Sequence, residues 1–377
     1  MGFESFLGNV TTVRRLRESI AEGRVPPAIV LSGPRGAGKY TLAVMLAQTM
    51  ACTEHPVTDG LPDFCGHCSN CTRIAGSQPL AERVNEAVAA REEMREADKR
   101  ETRILIQTHP DVLIIPPDPP QLLIKIDQVR AVISRIYRFP AEAPRSIYIF
   151  TSSAFIKEAA NSLLKILEEP PEYAHIFILT ENPGELLPTI RSRSSFFRLS
   201  AVPAAEIESL LASRRPDWKP RERSLVARLS NGAIGQAFSF DLEGYLASRQ
   251  DALLLLRNAT QELTGSGAGV RSAGADHSSL FRITETYRAG ADGQEKTLGL
   301  LRAFHGLLED LLLLQAGAPE LIRNIDLASE LTKVVQSVSP GWIEAAARGA
   351  VQVEQGMRRN LLRSLSLDSF ALGLEPS

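Results

Sequence analysis

The first two hundred residues alternate between short apolar runs and longer helical patterns. Ala28–Gly33 (AIVLSG), Asp111–Pro117 (DVLIIPP), Ser146–Ser152 (SIYIFTS) and His175–Thr180 (HIFILT) are near-continuous apolar stretches, and Lys39–Ala51 reads as a helix. Strands apolar on both faces and separated by helices predict a parallel sheet covered on both sides. From Val202 the strand signal stops. Pro203–Pro216 and Glu222–Phe240 read as helices, with SNGAIG (Ser230–Gly235) a break between two short ones. A later helical region, Tyr245–Ser377, is interrupted by a Gly/Ser-rich loop at Thr264–Ser279. The pattern predicts an α/β plus all-α chain: an α/β domain over 1–200, a small helical domain over 201–244 and a helical domain over 245–377. Two segments break the rhythm. Cys52–Cys71 is cysteine-rich and loop-like, and 79–104 is a charged stretch with Glu–Arg pairs at helical spacing, read as a solvated helical insertion.

Composition narrows the functional classes. With 377 residues the chain exceeds the length of roughly 250–300 at which single cores divide. A formal net charge of −2 gives no chain-wide attraction for nucleic acid, so any DNA contact must come from a local basic face or from partner subunits. No apolar run is long enough to span a bilayer, and no export signal is evident. The expected location is cytoplasmic, with no membrane partner.

The strongest motif is GPRGAGKY, Gly33–Tyr40. It fits G-x-x-x-x-G-K between a strand and a helix, the setting of a phosphate-binding loop. Gly33, Gly36 and Gly38 would let backbone N–H groups turn toward phosphate oxygens, and Lys39 would reach the outer phosphates. Tyr40 stands where Ser or Thr normally holds magnesium, and its phenol projects too far for that role. Nucleotide binding itself stays open. Hydrolysis also needs an acidic residue at the end of a neighbouring strand, to hold metal and polarise water. The candidate strand Ser146–Phe150 ends in Thr151, Ser152, Ser153 and Ala154, with no carboxylate before Lys157. Hydroxyls cannot replace that charge, so loss of ATP hydrolysis is expected.

All four cysteines lie at C-x12-C-x2-C-x2-C: Cys52, Cys65, Cys68 and Cys71. Four thiolates suit a closed, structural zinc site, with His67 a possible substitute ligand and free thiols the alternative. No open position for zinc catalysis is implied.

Ala159–Ser194, AANSLLKILEEPPEYAHIFILTENPGELLPTIRSRS, carries N-x-L-L-K-x-L-E-E-P-P, an apolar strand and P-x-T-I-x-S-R. With the opening FESFLGNVTTVRRLRESIAEGRVPPAIVLSGPRGAGK, it resembles the bacterial DNA polymerase III clamp-loader subunits of the AAA+ superfamily. The resemblance covers residues 3–240 well and the C-terminal helices only by position. It implies an AAA+ P-loop domain with an inserted zinc module, a helical lid domain and a helical C-terminal collar. The family's zinc module usually has fewer residues between its first two cysteines.

Within the family the motor subunits gamma and tau hydrolyse ATP, whereas the delta-prime type is typically silent. Tyr40, the Thr151–Ala154 segment and Gly235, at the motor's sensor-arginine position, make this chain similar to delta-prime. Thr180 matches the other sensor position. Arg193, in Ser192–Arg193–Ser194, matches the family's S-R-C arginine, which reaches a neighbouring motor's ATP as an arginine finger. The weaker alternative is that Arg191 and Arg193 are merely surface charges after a strand. Glu168 and Glu169 stand near a helix C-terminus, where negative charge is disfavoured, and are read as a packing or interface feature. The implied role is a clamp-loader component of the DNA polymerase III holoenzyme. Its implied partners are gamma/tau, delta, the sliding clamp and, through the complex, primer–template DNA. The alternatives are an active gamma/tau-like ATPase and a stand-alone zinc-containing DNA-binding protein.

Overall fold

The computed structural model describes residues 2–264 and 290–358, with Leu367, Ser369, Phe370 and Leu374. Residues 265–279 of the predicted Gly/Ser-rich loop lie outside the described residues. The chain divides into two compact units: Met1–Pro203 with Gly232–Gln236, and Ala204–Asn231 with Ala237–Ser377.

The first unit is built on a six-stranded sheet. Its strands are β1 (Ala28–Ser32), β4 (Ile106–His109), β5 (Val112–Ile115), β6 (Ser146–Phe150), β7 (Ala174–Thr180) and β8 (Ser195–Arg198). They are ordered β4-β5-β6-β7-β1-β8. All neighbours are parallel except β4, which runs antiparallel to β5 at one edge. The four runs expected as strands all form. Alternate residues serve opposite faces, as the pleat requires. Ile29 and Leu31 join Ile147, Ile149, Phe177 and Leu179 in one core with α1 (Val10–Ala21), α2 (Lys39–Ala51) and α3 (Ser69–Ala75). Ala28 and Val30 join Tyr148, Phe150, Ile176 and Ile178 in the other. That second face is covered by α6 (Ile126–Ile136) and α7 (Lys157–Glu168), which Pro170 and Pro171 prevent from continuing.

The cysteine segment is not merely a loop. It contains a two-stranded antiparallel hairpin, β2 (Val57–Thr58) with β3 (Leu61–Pro62), before α3. Arg17 of α1 holds this hairpin by donating to the carbonyls of Thr58, Leu61 and Pro62 while stacking on Phe3. The charged segment forms two helices, α4 (Leu80–Glu92) and α5 (Glu96–Glu101). Most of its described side chains are solvated, but Arg91 is buried and pairs with Asp118 at 2.9 Å.

The second unit is helical throughout its described residues. The helices Leu242–Thr264, Gly290–Gln315, Ala328–Val335 and Pro340–Arg358 contribute to a separate apolar core centred on Leu256, Phe304, Leu311 and Leu331. Buried Asp310 accepts from the backbone N–H groups of Arg323 and Asn324 and from the Asn324 amide. Arg249 donates to Asn324 and Asp326, so this polar cluster is internally satisfied.

Candidate functional site

The phosphate-type loop leaves the carboxyl end of β1, between β7 and β8. In open α/β sheets this end of the strands is where ligands bind. Gly33 N–H donates to Thr180 O at 3.2 Å, and Gly38 is the N-cap of α2. Lys39 is half-buried, and its Nζ donates to the carbonyls of Gly33 and Pro34, both at 2.8 Å. Burial lowers its pKa, while the carboxylate of Glu181 opposes that shift. Tyr40 Oη donates to Ser77 O at 3.0 Å, and burial pushes its pKa up to about 12. Its hydroxyl is therefore committed to the segment after α3.

The Gly232–Gln236 segment closes over this loop. Gly36 has φ +79°, and a Cβ there would lie 2.7 Å from Gln236 Cγ. Gly235 N–H donates to Gly36 O at 2.9 Å, and a Cβ on Gly235 would also lie 2.9 Å from that oxygen. No side chain, arginine included, fits at position 235 unless the loop shifts.

The ends of β6 and β7 meet beside it. Thr151 and Ser152 follow β6, and no carboxylate follows them before α7. Buried Ser153 lies 2.8 Å from Thr180 Oγ1 and donates to Glu185 Oε2 at 3.0 Å. Thr180 also donates to Asn182 O and accepts from Asn182 N–H, a turn that ends β7. Sequence reasoning identified Thr180 but missed Glu181 and Glu185. Both come from the turn after β7, and no spacing rule marks them.

Arg193 lies in the turn between α8 (Pro188–Arg191) and β8. Nη2 donates to Glu168 Oε1 at 3.0 Å, and Nη1 donates to Thr189 O at 3.2 Å and Ser192 Oγ at 3.4 Å. Glu168, the last residue of α7, thus has a cationic partner that offsets its poor placement at a helix C-terminus.

The four cysteines converge. Cys52 follows α2, Cys68 is the N-cap of α3 and Cys71 lies in its first turn. Their Sγ atoms all lie within 4.8 Å of one another, with Cys65 and Cys71 sulfurs 4.0 Å apart. Tetrahedral Zn–S bonds of ~2.3 Å require sulfurs ~3.8 Å apart. Backbone N–H groups of Cys65, Cys68 and Cys71 point to the sulfurs of Cys52, Cys65 and Cys68 at 3.4, 3.2 and 3.5 Å. Burial tends to raise the Cys68 thiol, but donors from Thr53 and Cys71 outweigh it and bring it to about 6. The donor set fits a thiophilic metal, and these four residues can hold one. His67 is exposed and pairs with Glu54 at 3.1 Å.

The chain is 28% identical over 211 residues to DNA polymerase III subunit gamma/tau of Mycobacterium tuberculosis, covering 56% of this chain and 30% of that protein. It is also 28% identical over 220 residues to DNA polymerase III subunit delta' of Bacillus subtilis, covering 58% and 55%. The matched region therefore spans less than a third of one relative and about half of the other. Among solved structures, a DNA polymerase III gamma subunit-related protein from Thermotoga maritima aligns with 96% of this chain and 98% of its own. That match has 18% identity and a TM-score of 0.38. No described helix is long and apolar enough to cross a membrane. Residues 8–203, just over half of the chain, match the family model described as "DNA polymerase III, delta subunit", and the chain belongs to this clamp-loader family.

Proposed function

We propose that the chain is a non-hydrolysing, delta-prime-type subunit of the DNA polymerase III clamp loader. Its three parts would be an AAA+ domain over 1–200, a lid over 201–244 and a collar over 245–377 that joins it to gamma/tau and delta. The assembly would place the sliding clamp on primer–template DNA in the cytoplasm. Cys52, Cys65, Cys68 and Cys71 would hold a structural zinc ion, which fastens the hairpin and α3 to the end of α2.

The observation that carries the reading is the end of β6. A motor needs a carboxylate there to hold magnesium and orient water. This chain offers Thr151 and Ser152, with Ser153 turned to Thr180 and Glu185. With Tyr40 bonded to Ser77 and Gly235 closed on Gly36, three elements of hydrolysis are missing from one site. Arg193 would act instead on a neighbour's ATP, its guanidinium stabilising charge on the transferring phosphoryl group. The test is reconstitution with cognate gamma/tau and delta, comparing wild type with Arg193→Ala. Assembly should persist while ATP turnover and clamp loading fall; unchanged turnover and loading would remove the finger role.

The second reading is an active gamma/tau-like motor, and Glu185 is the observation that favours it, since it brings a carboxylate to Ser153. Hydrolysis by the isolated chain, abolished by Lys39→Ala, would establish that reading and end the first.

A further inference from the structure

Glu168 and Arg193 are 25 residues apart in sequence, yet they form an ion pair at the end of α7. Both are partly exposed, with the Arg193 side chain 36% accessible, so the pair contributes little to folding. Helix preference does not account for the acid, because a carboxylate at a helix C-terminus opposes the dipole. The reason for Glu168 therefore lies in what it does to Arg193.

A guanidinium carries five N–H donors in a fixed plane. Three are used within the chain: two on Nη1, to Thr189 O and Ser192 Oγ, and one on Nη2, to Glu168 Oε1. The remaining two, on Nε and Nη2, have no hydrogen-bond acceptor among the described residues. The first two acceptors come from the turn that carries Arg193, and they fix its near side. Glu168 alone comes from a different element and sets the direction in which the group points out of that turn. The guanidinium is thus oriented, yet it keeps donors for an external anion.

We propose that Glu168 is a positioning residue, which holds Arg193 aimed at a phosphate group presented by a neighbouring subunit. This rests on the finger role proposed above and adds its orienting partner. Orientation matters because a misplaced catalytic group loses much of its effect even when it is still present. The carboxylate does not touch the nucleotide, so all of its influence passes through Arg193.

The test is a double-mutant cycle in the reconstituted complex with cognate gamma/tau and delta, reading kcat and KM for ATP. Glu168→Ala should lower kcat several-fold, on the order of the partial loss a misoriented group brings, with KM for ATP and assembly unchanged. Glu168→Gln, which keeps a hydrogen-bond acceptor, should retain more activity than Glu168→Ala. In the Arg193→Ala background, Glu168→Ala should cause no additional loss. Additive losses, or a fall in assembly matching the fall in turnover, would overturn the proposal, as would a rise in turnover, which would make the pair an inhibitory latch. A wild-type rate for Glu168→Ala while Arg193→Ala is impaired would refute the positioning role alone. A wild-type rate for Arg193→Ala would instead refute the finger reading on which it rests.

Discussion

Replacing Gly235 with Ala tests whether the Gly232–Gln236 segment closes tightly on the phosphate-type loop. The added Cβ would sit 2.9 Å from Gly36 O, the same oxygen that accepts the Gly235 N–H. The obstacle is backbone rather than the end of a flexible side chain, so relief requires the loop or the short helix Ile234–Phe238 to move. Overpacking of this kind costs about 1–3 kcal/mol. Exchanging Gly for Ala within a helix returns up to about 1 kcal/mol. The difference leaves a loss of about 0–2 kcal/mol, centred on ~1 kcal/mol, which lowers Tm by about 2–4 °C for a unit of this size. Gly306 supplies the contrast: it lies in the helix Gly290–Gln315, and a Cβ there meets nothing within 4 Å. Gly306→Ala should be neutral or stabilising. Thermal unfolding followed by calorimetry or circular dichroism reads both variants. If Gly235→Ala melts at or above wild type, the loop is not closed as described, and the steric argument against an arginine at 235 fails with it.

Two further outcomes concern stability and metal. His175 is buried, its Nδ1 facing Pro26 O at 3.2 Å and its Nε2 facing Arg145 Nη1 at 3.4 Å, and burial depresses its pKa to about 4. Because the unfolded chain takes up this proton near pH 6.5 and the folded chain only near 4, stability should fall as pH drops through that window. The loss is about 3 kcal/mol in full, and His175→Gln should flatten the slope between pH 7 and 5; an equal slope in the variant would discount His175. For the cysteines, the purified chain should carry one zinc equivalent by elemental analysis, and Cys65→Ser should lose it together with protease resistance across residues 52–75. A full equivalent of zinc in Cys65→Ser would exclude Cys65 from the ligand set.

The central sheet was legible because its strands are buried on both faces and read as unbroken apolar runs. The two edge strands were not, and the reason is the same. β8 has alternating half-buried and exposed residues, and β4 buries only its two end residues and follows closely on the charged segment. Spacing alone brought three of the cysteines together, since C-x2-C-x2-C confines Cys65, Cys68 and Cys71 to one turn and a helix start. Arg91 shows a different limit. Nothing in its amphipathic, charged surroundings marks it as the buried anchor of the insertion, because its partner Asp118 lies beyond two further strands. Glu185 was hidden in the same way, being brought to Ser153 only by the turn after β7.

The preserved phosphate-loop motif is weak evidence for nucleotide chemistry, because the fold already uses its characteristic residues. Gly36 adopts a positive φ and lies against Gln236, so any larger residue there is strained whether or not a phosphate binds. Lys39 satisfies two loop carbonyls and helps fix the turn that starts α2. A chain that never hydrolysed ATP would still need both. The informative positions are those whose structural duty is slight compared with their chemistry. Arg193 is such a position, since its surface ion pair adds little stability while two of its donors have no acceptor among the described residues. Loss of function without loss of fold is therefore expected at Arg193 and Glu168, and loss of fold before loss of function at Gly36 and Gly235.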